Sequence, residues 1–277
     1  MRIRRLHPDF GAEILDVDIL NTGPDEVEEL RAAFLEHQLL LFRGQGRTPP
    51  ERQVEIASWF GPLVSETPTG EFWNVLHNKE YGGRIRLKFH CDHSYTDSPV
   101  KGISLHAIEL PDGPTATAYV SNINAWARLS PERQALLAPM TLRHRHVSEN
   151  KAFDWPEFIS EHPVRWLHPK SGRPVLFVTE DHANRILELD QDASDRMIAE
   201  LFAEIYALER IYRHEWRLHD LMVWDNLAIQ HARPEMADPG KGARAMQRVS
   251  LNEVPFAELL ARARVAEGKR KAVGAIA

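Results

Sequence analysis

Two short segments, far apart in the chain, carry side chains that could bind one metal ion. His90 and Asp92 lie two positions apart in the first, and His231 ends the second. Alternate residues of a strand point to the same face, so His90 and Asp92 could reach a single ion. Two imidazoles and one carboxylate on one face of an octahedral metal are typical of non-haem Fe(II) oxygenases. Such a set leaves three metal positions open, two for a chelating co-substrate and one for O2.

A His-x-Asp pattern alone is a weak signal. The chain has 14 histidines, and an isolated histidine is more often a hydrogen-bonded core or surface residue. Cys91, between the two candidate ligands, should point to the opposite face of a strand, so we assign it no metal or catalytic role. The metal prediction therefore depends on what surrounds the pattern.

Composition limits the classes of function. The 277 residues suit one domain, and the formal net charge of -6 disfavours a nucleic-acid partner, whose phosphates attract cations. The single cysteine excludes an intrachain disulfide and suits a cytoplasmic location. The sequence has no signal-peptide pattern and no apolar stretch near the roughly 20 residues that span a bilayer. We expect one domain over residues 1–277, a small-molecule substrate, no membrane or nucleic-acid partner, and leave a homo-oligomer open.

Hydrophobic periodicity predicts helices that would support a sheet. The first begins at Pro24, and Leu30 and Phe34 recur in it at helical spacing. Two others are predicted over residues 50–60 and 191–208.

Short apolar segments predict many strands. Residues 61–85, rich in Gly, Pro, Thr and Asn, are predicted to form loops. Strands are predicted at 39–42, 101–106, 115–121, 164–167, 174–179, 212–217, 221–224, 228–232 and 244–252. Many short strands with helices at the ends indicate a mainly β fold with flanking helices and a jelly-roll core, also called a double-stranded β-helix.

A series of short motifs runs through the chain in order. Besides the metal-ligand pattern, they are Gly11-Ala12-Glu13-Ile14, Phe42-Arg43-Gly44-Gln45, Phe60-Gly61-Pro62-Leu63, the Gly113 turn leading to Thr117, Ser171-Gly172-Arg173, Trp224-Asp225-Asn226 and Arg244-Ala245-Met246-Gln247-Arg248. Each is a weak to moderate signal. In this order and spacing, from about residue 8 to 255, they resemble the taurine dioxygenase/TfdA-like family of Fe(II)- and 2-oxoglutarate-dependent oxygenases.

The resemblance implies specific roles. His90, Asp92 and His231 match the family's iron ligands. Thr117 and Arg244 match residues that hold 2-oxoglutarate. Arg248 matches a second arginine that contacts either the co-substrate or an anionic group of the prime substrate. A guanidinium suits these roles because its planar fork fits a carboxylate through two hydrogen bonds. As i and i+4 on one strand, Arg244 and Arg248 are expected to face the same interior.

The chain also departs from the family pattern. Leu227 stands where the family usually has arginine, so the salt bridge of that arginine should be missing. Glu180, Asp181 and His182 stand where family members often carry asparagine and an aromatic residue over the substrate, so we do not infer taurine.

Three further parts of the chain could shape the substrate site. His182, Tyr95 and His93 are candidates for the substrate pocket, although a hydrogen-bonded loop histidine explains His182 equally well. Residues 147–158 are predicted to form a lid loop, and an exposed aromatic loop is the alternative. The basic segment 261–277 is predicted to be a solvated tail or helix.

Together these features predict an Fe(II)-dependent dioxygenase with 2-oxoglutarate and O2 as co-substrates. It would oxidise a C–H bond of a small anionic metabolite, such as an amino acid, by hydroxylation or desaturation and release succinate and CO2. The alternatives are a jelly-roll protein that binds a metal or sugar without redox chemistry, and a Zn(II)-dependent hydrolase. Thr117, Arg244 and Arg248 favour the dioxygenase, because a dicarboxylate co-substrate gives all three a role.

Overall fold

The computed structural model describes residues 1–65, 67, 69–80, 85–113, 115–150, 152–235 and 242–274. Its helices are α1 (Pro24–His37), α2 (Pro50–Ser58), α3 (Asn122–Arg128), α4 (Pro131–Leu137), α5 (Gln191–Ile205) and α6 (Phe256–Gly274). Its strands are β1 (Ile3–Arg5), β2 (Ala12–Ile14), β3 (Leu39–Phe42), β4 (Leu63–Val64), β5 (Asn74–His77), β6 (Leu87–His90), β7 (Gly102–Glu109), β8 (Ala116–Ser121), β9 (Thr141–His146), β10 (Phe158–Pro163), β11 (Arg165–Leu167), β12 (Pro174–Leu176), β13 (Ala183–Ile186), β14 (Tyr212–Glu215), β15 (Leu221–Asp225), β16 (Ile229–Arg233) and β17 (Ala245–Leu251).

Two sheets enclose the core. Within the described residues, the larger sheet has eight strands in the order β1-β2-β3-β15-β7-β17-β4, with β5 also paired to β17. The smaller sheet has four, in the order β14-β8-β16-β6. Leu105 and Met246 of the larger sheet share one buried cluster with Tyr119 and Ile229 of the smaller sheet. The core therefore lies between the sheets, and the prediction of a mainly β protein with helices is confirmed.

The helices cover outer surfaces of this core. In α1, Leu30 and Phe34 are buried in a cluster with Leu40 and Phe42 of β3, as their periodicity predicts. In α5, the carboxylate of Asp190 accepts a hydrogen bond from the Ala193 amide at 2.8 Å and so caps the first turn. No helix in the described part of the chain has the length and apolar character needed to cross a membrane.

The prediction of loops throughout residues 61–85 is wrong in part. Strands β4 and β5 lie in this range, and both pair with β17. With two and four residues, they are too short to show a clear alternation of polar and apolar side chains. Pairing with a long neighbouring strand, rather than intrinsic propensity, accounts for them. Residues 66, 68 and 81–84 lie outside the described residues.

The basic C-terminal segment, residues 261–277, is helical through Gly274, and residues 275–277 lie outside the described part. Ion pairs join α6 to its surroundings: Arg262 to Asp97 at 2.8 Å, and Arg264 to Asp154 at 3.4 Å. The α6 helix therefore packs beside the loop that was predicted to act as a lid.

Asp220 joins the two sheets. Arg43, at the end of β3, donates two hydrogen bonds to the Asp220 carboxylate, at 2.8 and 2.6 Å. His214 of β14, in the smaller sheet, lies 3.1 Å from the same carboxylate, and the Arg217 amide donates to it at 2.9 Å. Burial alone would raise the pKa of Asp220, but the hydrogen bonds from Arg43 and His214 lower it to about 2.

Asp220→Asn should lower the free energy of unfolding by about 3 kcal/mol, because it removes one partner of a largely buried ion pair. Since the pKa of Asp220 falls from an ordinary value of about 3.9 to about 2 on folding, its contribution is complete above the ordinary value. The stability difference between wild type and variant should therefore shrink as the pH falls towards 2. Urea denaturation across this pH range measures both effects.

The matched control is Asp16→Asn, which removes an exposed ion pair with Arg2 and should cause no resolvable change. Equal effects of the two substitutions, or a stability difference that is independent of pH, would contradict the assigned role of Asp220.

Candidate metal centre

Adjacent strands of the smaller sheet bring the two histidines together. His90 ends β6, and His231 in β16 is its direct partner across the two strands. Asp92 follows the end of β6 and lies in a turn, so the prediction that it shares the strand with His90 is wrong. Asn226 holds this turn instead: its Oδ1 accepts from the Asp92 amide at 3.1 Å, and its Nδ2 donates to the Asp92 carbonyl at 3.3 Å.

The three side chains converge on one point. One ligand atom from each lies within 4.8 Å of the others. Asp92 Oδ1 is 3.1 Å from Nε2 of His90 and 3.7 Å from Nε2 of His231. Two ligands at right angles on a metal, with bonds of about 2.1 Å, are about 3 Å apart. The spacing therefore fits three ligands on one face of a single ion.

Hydrogen bonding and burial set the tautomer of His90 and the protonation of both histidines. Nδ1 of His90 lies 2.8 Å from the Lys88 carbonyl, which fixes the ring tautomer and leaves Nε2 for the metal. Burial lowers the pKa of His231 to about 3, so this ring is neutral at pH 7. Burial also opposes ionisation of His90, but Asp92 outweighs it and raises the pKa of His90. A metal ion would replace the proton on His90.

Arg248 completes the surroundings of Asp92. Its Nη2 donates to Asp92 Oδ2 at 2.7 Å, and its Nε donates to the Ser250 hydroxyl at 3.1 Å. Burial alone would raise the pKa of Asp92, but the charge of Arg248 and the hydrogen bond with His90 hold it well below its usual value. One carboxylate oxygen therefore faces the histidines, and the other is held by the guanidinium.

The Trp-Asp-Asn segment ends β15 in the larger sheet and begins the turn that leads to β16 in the smaller one. The Trp224 ring packs edge-on against the His231 ring, with centroids 5.0 Å apart. Asp225 Oδ1 accepts from the Leu227 and Ala228 amides, each at 3.0 Å. Leu227, at the position where arginine was expected, is buried in the core. The turn thus positions both His231 and, through its asparagine, Asp92.

Arg244 has different hydrogen-bond partners from Arg248. It precedes β17, whose register with β7 shifts between Ala245 and Met246. The expected arrangement, with both arginines at i and i+4 of one regular strand, is therefore wrong. The Arg244 side chain is buried at 3% exposure, and its Nε donates to the Thr115 hydroxyl at 3.2 Å. Burial lowers the pKa of Arg244 to about 10.

Thr117 lies in β8 and faces the same interior. Its hydroxyl accepts a hydrogen bond from Trp216 Nε1 at 2.9 Å, which leaves its own proton available to donate elsewhere. The sequence interpretation missed Thr115 and Trp216. Thr115 and Thr117 both follow the Gly113 turn, and the family resemblance pointed only to Thr117. Trp216 carries no motif of its own, so no signal in the sequence pointed to it.

Several buried polar atoms of Arg244, of Tyr119 and of the rings that pack in sequence from Tyr119 to His231 have no hydrogen-bond partner within the described residues. They are Arg244 Nη1, the Tyr119 hydroxyl, Trp224 Nε1 and His231 Nδ1. Buried polar groups are normally satisfied, so such a cluster is suited to a polar ligand. An unpaired guanidinium nitrogen among hydroxyl and N–H donors fits an anion such as a carboxylate. The chemistry of these residues thus fits the co-substrate that the sequence predicted.

The predicted substrate-pocket residues divide into two groups. His182 lies beside His90, with ring centroids 6.2 Å apart, and its Nδ1 is 3.0 Å from the Ser94 hydroxyl. Tyr95 packs against the His182 ring at 4.8 Å. His93 instead stacks on Phe256 of α6 at 4.7 Å. Two of the three residues are therefore next to the candidate metal centre, and the third contacts the C-terminal helix.

A cavity of about 440 Å³ opens beside this histidine cluster. His146, which stacks on Tyr95 at 4.5 Å, and Asp181 line this cavity. Phe153 and Trp155, from the loop predicted to be a lid, also line it. The cavity is therefore close to the metal ligands without including them.

The chain is similar to known dioxygenases along nearly its whole length. The family model "Taurine catabolism dioxygenase TauD, TfdA family" matches residues 2–250. The alpha-ketoglutarate-dependent 2,4-dichlorophenoxyacetate dioxygenase of Cupriavidus pinatubonensis is 28% identical over 260 residues, 82% of this chain and 89% of that protein. The alpha-ketoglutarate-dependent dioxygenase cnsM of Penicillium expansum is 27% identical over 286 residues, 93% of this chain and 80% of that protein.

A solved structure has the same fold. The crystal structure of a taurine dioxygenase from Burkholderia xenovorans superposes with a TM-score of 0.78 at 24% identity and covers 91% of each chain. Neither a non-redox binding protein nor a hydrolase is favoured by these similarities. The chain belongs to the TauD/TfdA family and is an alpha-ketoglutarate-dependent dioxygenase that uses Fe(II), 2-oxoglutarate and O2.

Proposed function

We propose that this dioxygenase hydroxylates, or oxidises in another way such as desaturation, a C–H bond of a small anionic metabolite, with release of succinate and CO2. The observation that carries the proposal is the pairing of two sites in one interior: three converging ligand atoms and, nearby, the buried Arg244 with an unpaired nitrogen. The two facing sheets would form a double-stranded β-helix, and the whole chain would act as a single catalytic domain.

The proposed iron ligands are His90, Asp92 and His231. Fe(II) bound there would supply the O2 chemistry through its open coordination positions. The protein supplies the fixed His90 tautomer, a neutral His231 and a carboxylate held in place by Arg248. These features orient the ligands before the metal binds.

Arg244 and Thr117 are proposed to hold the carboxylate of 2-oxoglutarate that is farther from the metal. The Arg244 guanidinium is buried and has no ion pair within the described residues. A carboxylate would therefore satisfy its free nitrogen and offset the cost of its burial. Thr117 can donate its hydroxyl proton because Trp216 occupies an acceptor position of the same oxygen.

The cavity beside His146 and Asp181 is the proposed substrate site. Its walls combine aromatic surface from Phe153 and Trp155 with cationic side chains, including Arg86 and Lys88. Its volume of about 440 Å³ lies within the range for small-ligand sites. The relative named for 2,4-dichlorophenoxyacetate has, by its name, a carboxylate substrate. These features support an anionic metabolite, and the acidic Asp181 would suit an amine on the same molecule, as in an amino acid.

A screen of anionic metabolites for stimulated succinate release tests the proposed function. The expected result is a strong increase with a carboxylated compound, in particular one that also carries an amine. Stimulation only by neutral, strongly apolar compounds would contradict the proposed substrate class.

His90→Ala, Asp92→Ala and His231→Ala should each abolish substrate-dependent succinate production, because two remaining ligands do not hold an open octahedral face. Each variant should also lose Mn(II) binding, measured by calorimetry, while its circular dichroism spectrum stays that of the wild type. The control is His7→Ala, remote from the centre, which should retain both properties. Near wild-type turnover in any ligand variant would remove that residue from the triad.

Arg244→Ala should raise KM for 2-oxoglutarate strongly. Loss of one partner from a desolvated charge pair costs about 2–5 kcal/mol, which corresponds to about 30-fold or more. The measurement is succinate production at saturating prime substrate. Arg143→Ala, which removes only an exposed pair with Glu161, is the control and should leave KM unchanged. An unchanged KM in the Arg244 variant would exclude its role.

Arg248→Ala should weaken Mn(II) binding about 10- to 100-fold, because the guanidinium orients a metal ligand from outside the coordination sphere. If Arg248 also contacts the prime substrate, 2-oxoglutarate decay at saturating metal should continue while product falls. If it contacts the co-substrate, both should fall together. Metal affinity and coupling equal to those of wild type would leave Arg248 with a structural role alone.

A further inference from the structure

Tyr119 lies on the interior wall between the candidate metal centre and Thr117. In the smaller sheet it is the direct cross-strand partner of His231. It is also two residues after Thr117 on the same strand, so both side chains face the same way. A dicarboxylate that reaches from the metal beside His231 to Thr117 must therefore pass the Tyr119 side chain.

The Tyr119 hydroxyl is buried without a hydrogen bond. The residue is 0% exposed, and the oxygen has no partner among the described residues. Burial raises the pKa of Tyr119, and a hydrogen-bonding interaction with the adjacent Thr117 hydroxyl lowers it in part, although the two hydroxyls do not have the geometry of a regular hydrogen bond. A buried hydroxyl without a partner bears an uncompensated desolvation cost, which a bound acceptor would remove.

The positive charge of Arg244 lies near this hydroxyl. The Tyr119 phenol interacts electrostatically with Arg244, whose Nη1 is also unpaired within the described residues. Arg233 is a further cation close to Arg244. Burial and then the charge of Arg244 lower the pKa of Arg233 to about 10. The Trp224 ring, with its own unpaired N–H, packs edge-on against Tyr119 at 5.4 Å. The surroundings favour an acceptor anion over a second donor.

We propose that Tyr119 donates a hydrogen bond to the 2-oxoglutarate carboxylate farther from the metal, as a third contact beside Thr117 and Arg244. The inference rests on the proposed co-substrate site and adds a residue to it. Its neighbour Tyr212 does not share this role, because the Tyr212 hydroxyl is 2.9 Å from Nδ1 of His214 and is already paired. Tyr119 is thus the phenol of this pair whose hydroxyl is available to a ligand.

The test compares two ligands on Mn(II)-loaded protein by calorimetry. One is 2-oxoglutarate, and the other is 2-oxopentanoate, which has the same chelating end but no distal carboxylate. Tyr119→Phe should lower the affinity for 2-oxoglutarate about tenfold or more, because a hydrogen bond to a charged group is lost. The affinity for 2-oxopentanoate should stay within about twofold of the wild-type value. Because this second ligand needs an intact metal centre, its binding also shows that the variant is folded.

Tyr212→Phe is the matched control and should leave the affinities for both ligands unchanged. Equal affinity of wild type and Tyr119→Phe for 2-oxoglutarate would overturn the contact. An equal loss of affinity for both ligands would also overturn the proposed contact, because a purely structural role of Tyr119 predicts that result. If wild-type Mn(II)-loaded protein bound 2-oxopentanoate as tightly as 2-oxoglutarate, the distal carboxylate site itself would be wrong, which is a failure of the proposed function rather than of Tyr119 alone.

Discussion

The rest of the site depends on the pairing of the buried Asp92 carboxylate with its neighbours. A buried carboxylate is costly unless it is paired, and here its two oxygens have separate partners. Oδ1 faces the imidazoles of His90 and His231, and Oδ2 accepts from Arg248. Since Asp92 lies outside any strand, its position depends on Asn226, which binds its amide and carbonyl. The metal centre is therefore assembled from both sheets, because Arg248 belongs to β17 and Asn226 follows β15.

The same crossover explains why two distant segments of the sequence act together. The turn between β15 and β16 leads directly from Trp224, which packs on His231, to Asn226, which holds Asp92. The second link between the sheets, around Asp220, lies at the opposite end of β15 from this turn. A strand held at both ends provides a rigid support for groups that must keep their geometry when a metal binds.

Much of this organisation could be predicted from the sequence. The pattern of apolar residues predicts helix α1 and strand β3. The order of the motifs along the chain predicts the two histidines. The structure brings Asp92 together with His90 and His231 although Asp92 lies just beyond β6, because a side chain that follows a strand can still point to the same place. The short strands β4 and β5 were missed because tertiary pairing, not their own sequence, determines them.

The interior of the co-substrate pocket could not be predicted in the same way. Trp216, Thr115 and Tyr119 are near Arg244 or Thr117 only through strand register, and their types alone are those of ordinary core or strand residues. Arg244 lies just outside β17, next to the register shift between Ala245 and Met246, and no pattern in the sequence reveals either feature. Residues that come together through strand register can therefore be identified only in the structure, whereas residues within motifs can be identified in the sequence.

One metal held by His90, Asp92 and His231 would leave coordination positions open for a chelating 2-oxo acid. The most direct measurement is an anaerobic titration of 2-oxoglutarate into the Fe(II)-loaded protein, followed by visible absorbance. We expect a weak charge-transfer band that saturates at one equivalent of 2-oxoglutarate per iron. Tightly bound iron that gives no such band at saturating 2-oxoglutarate would contradict this expectation.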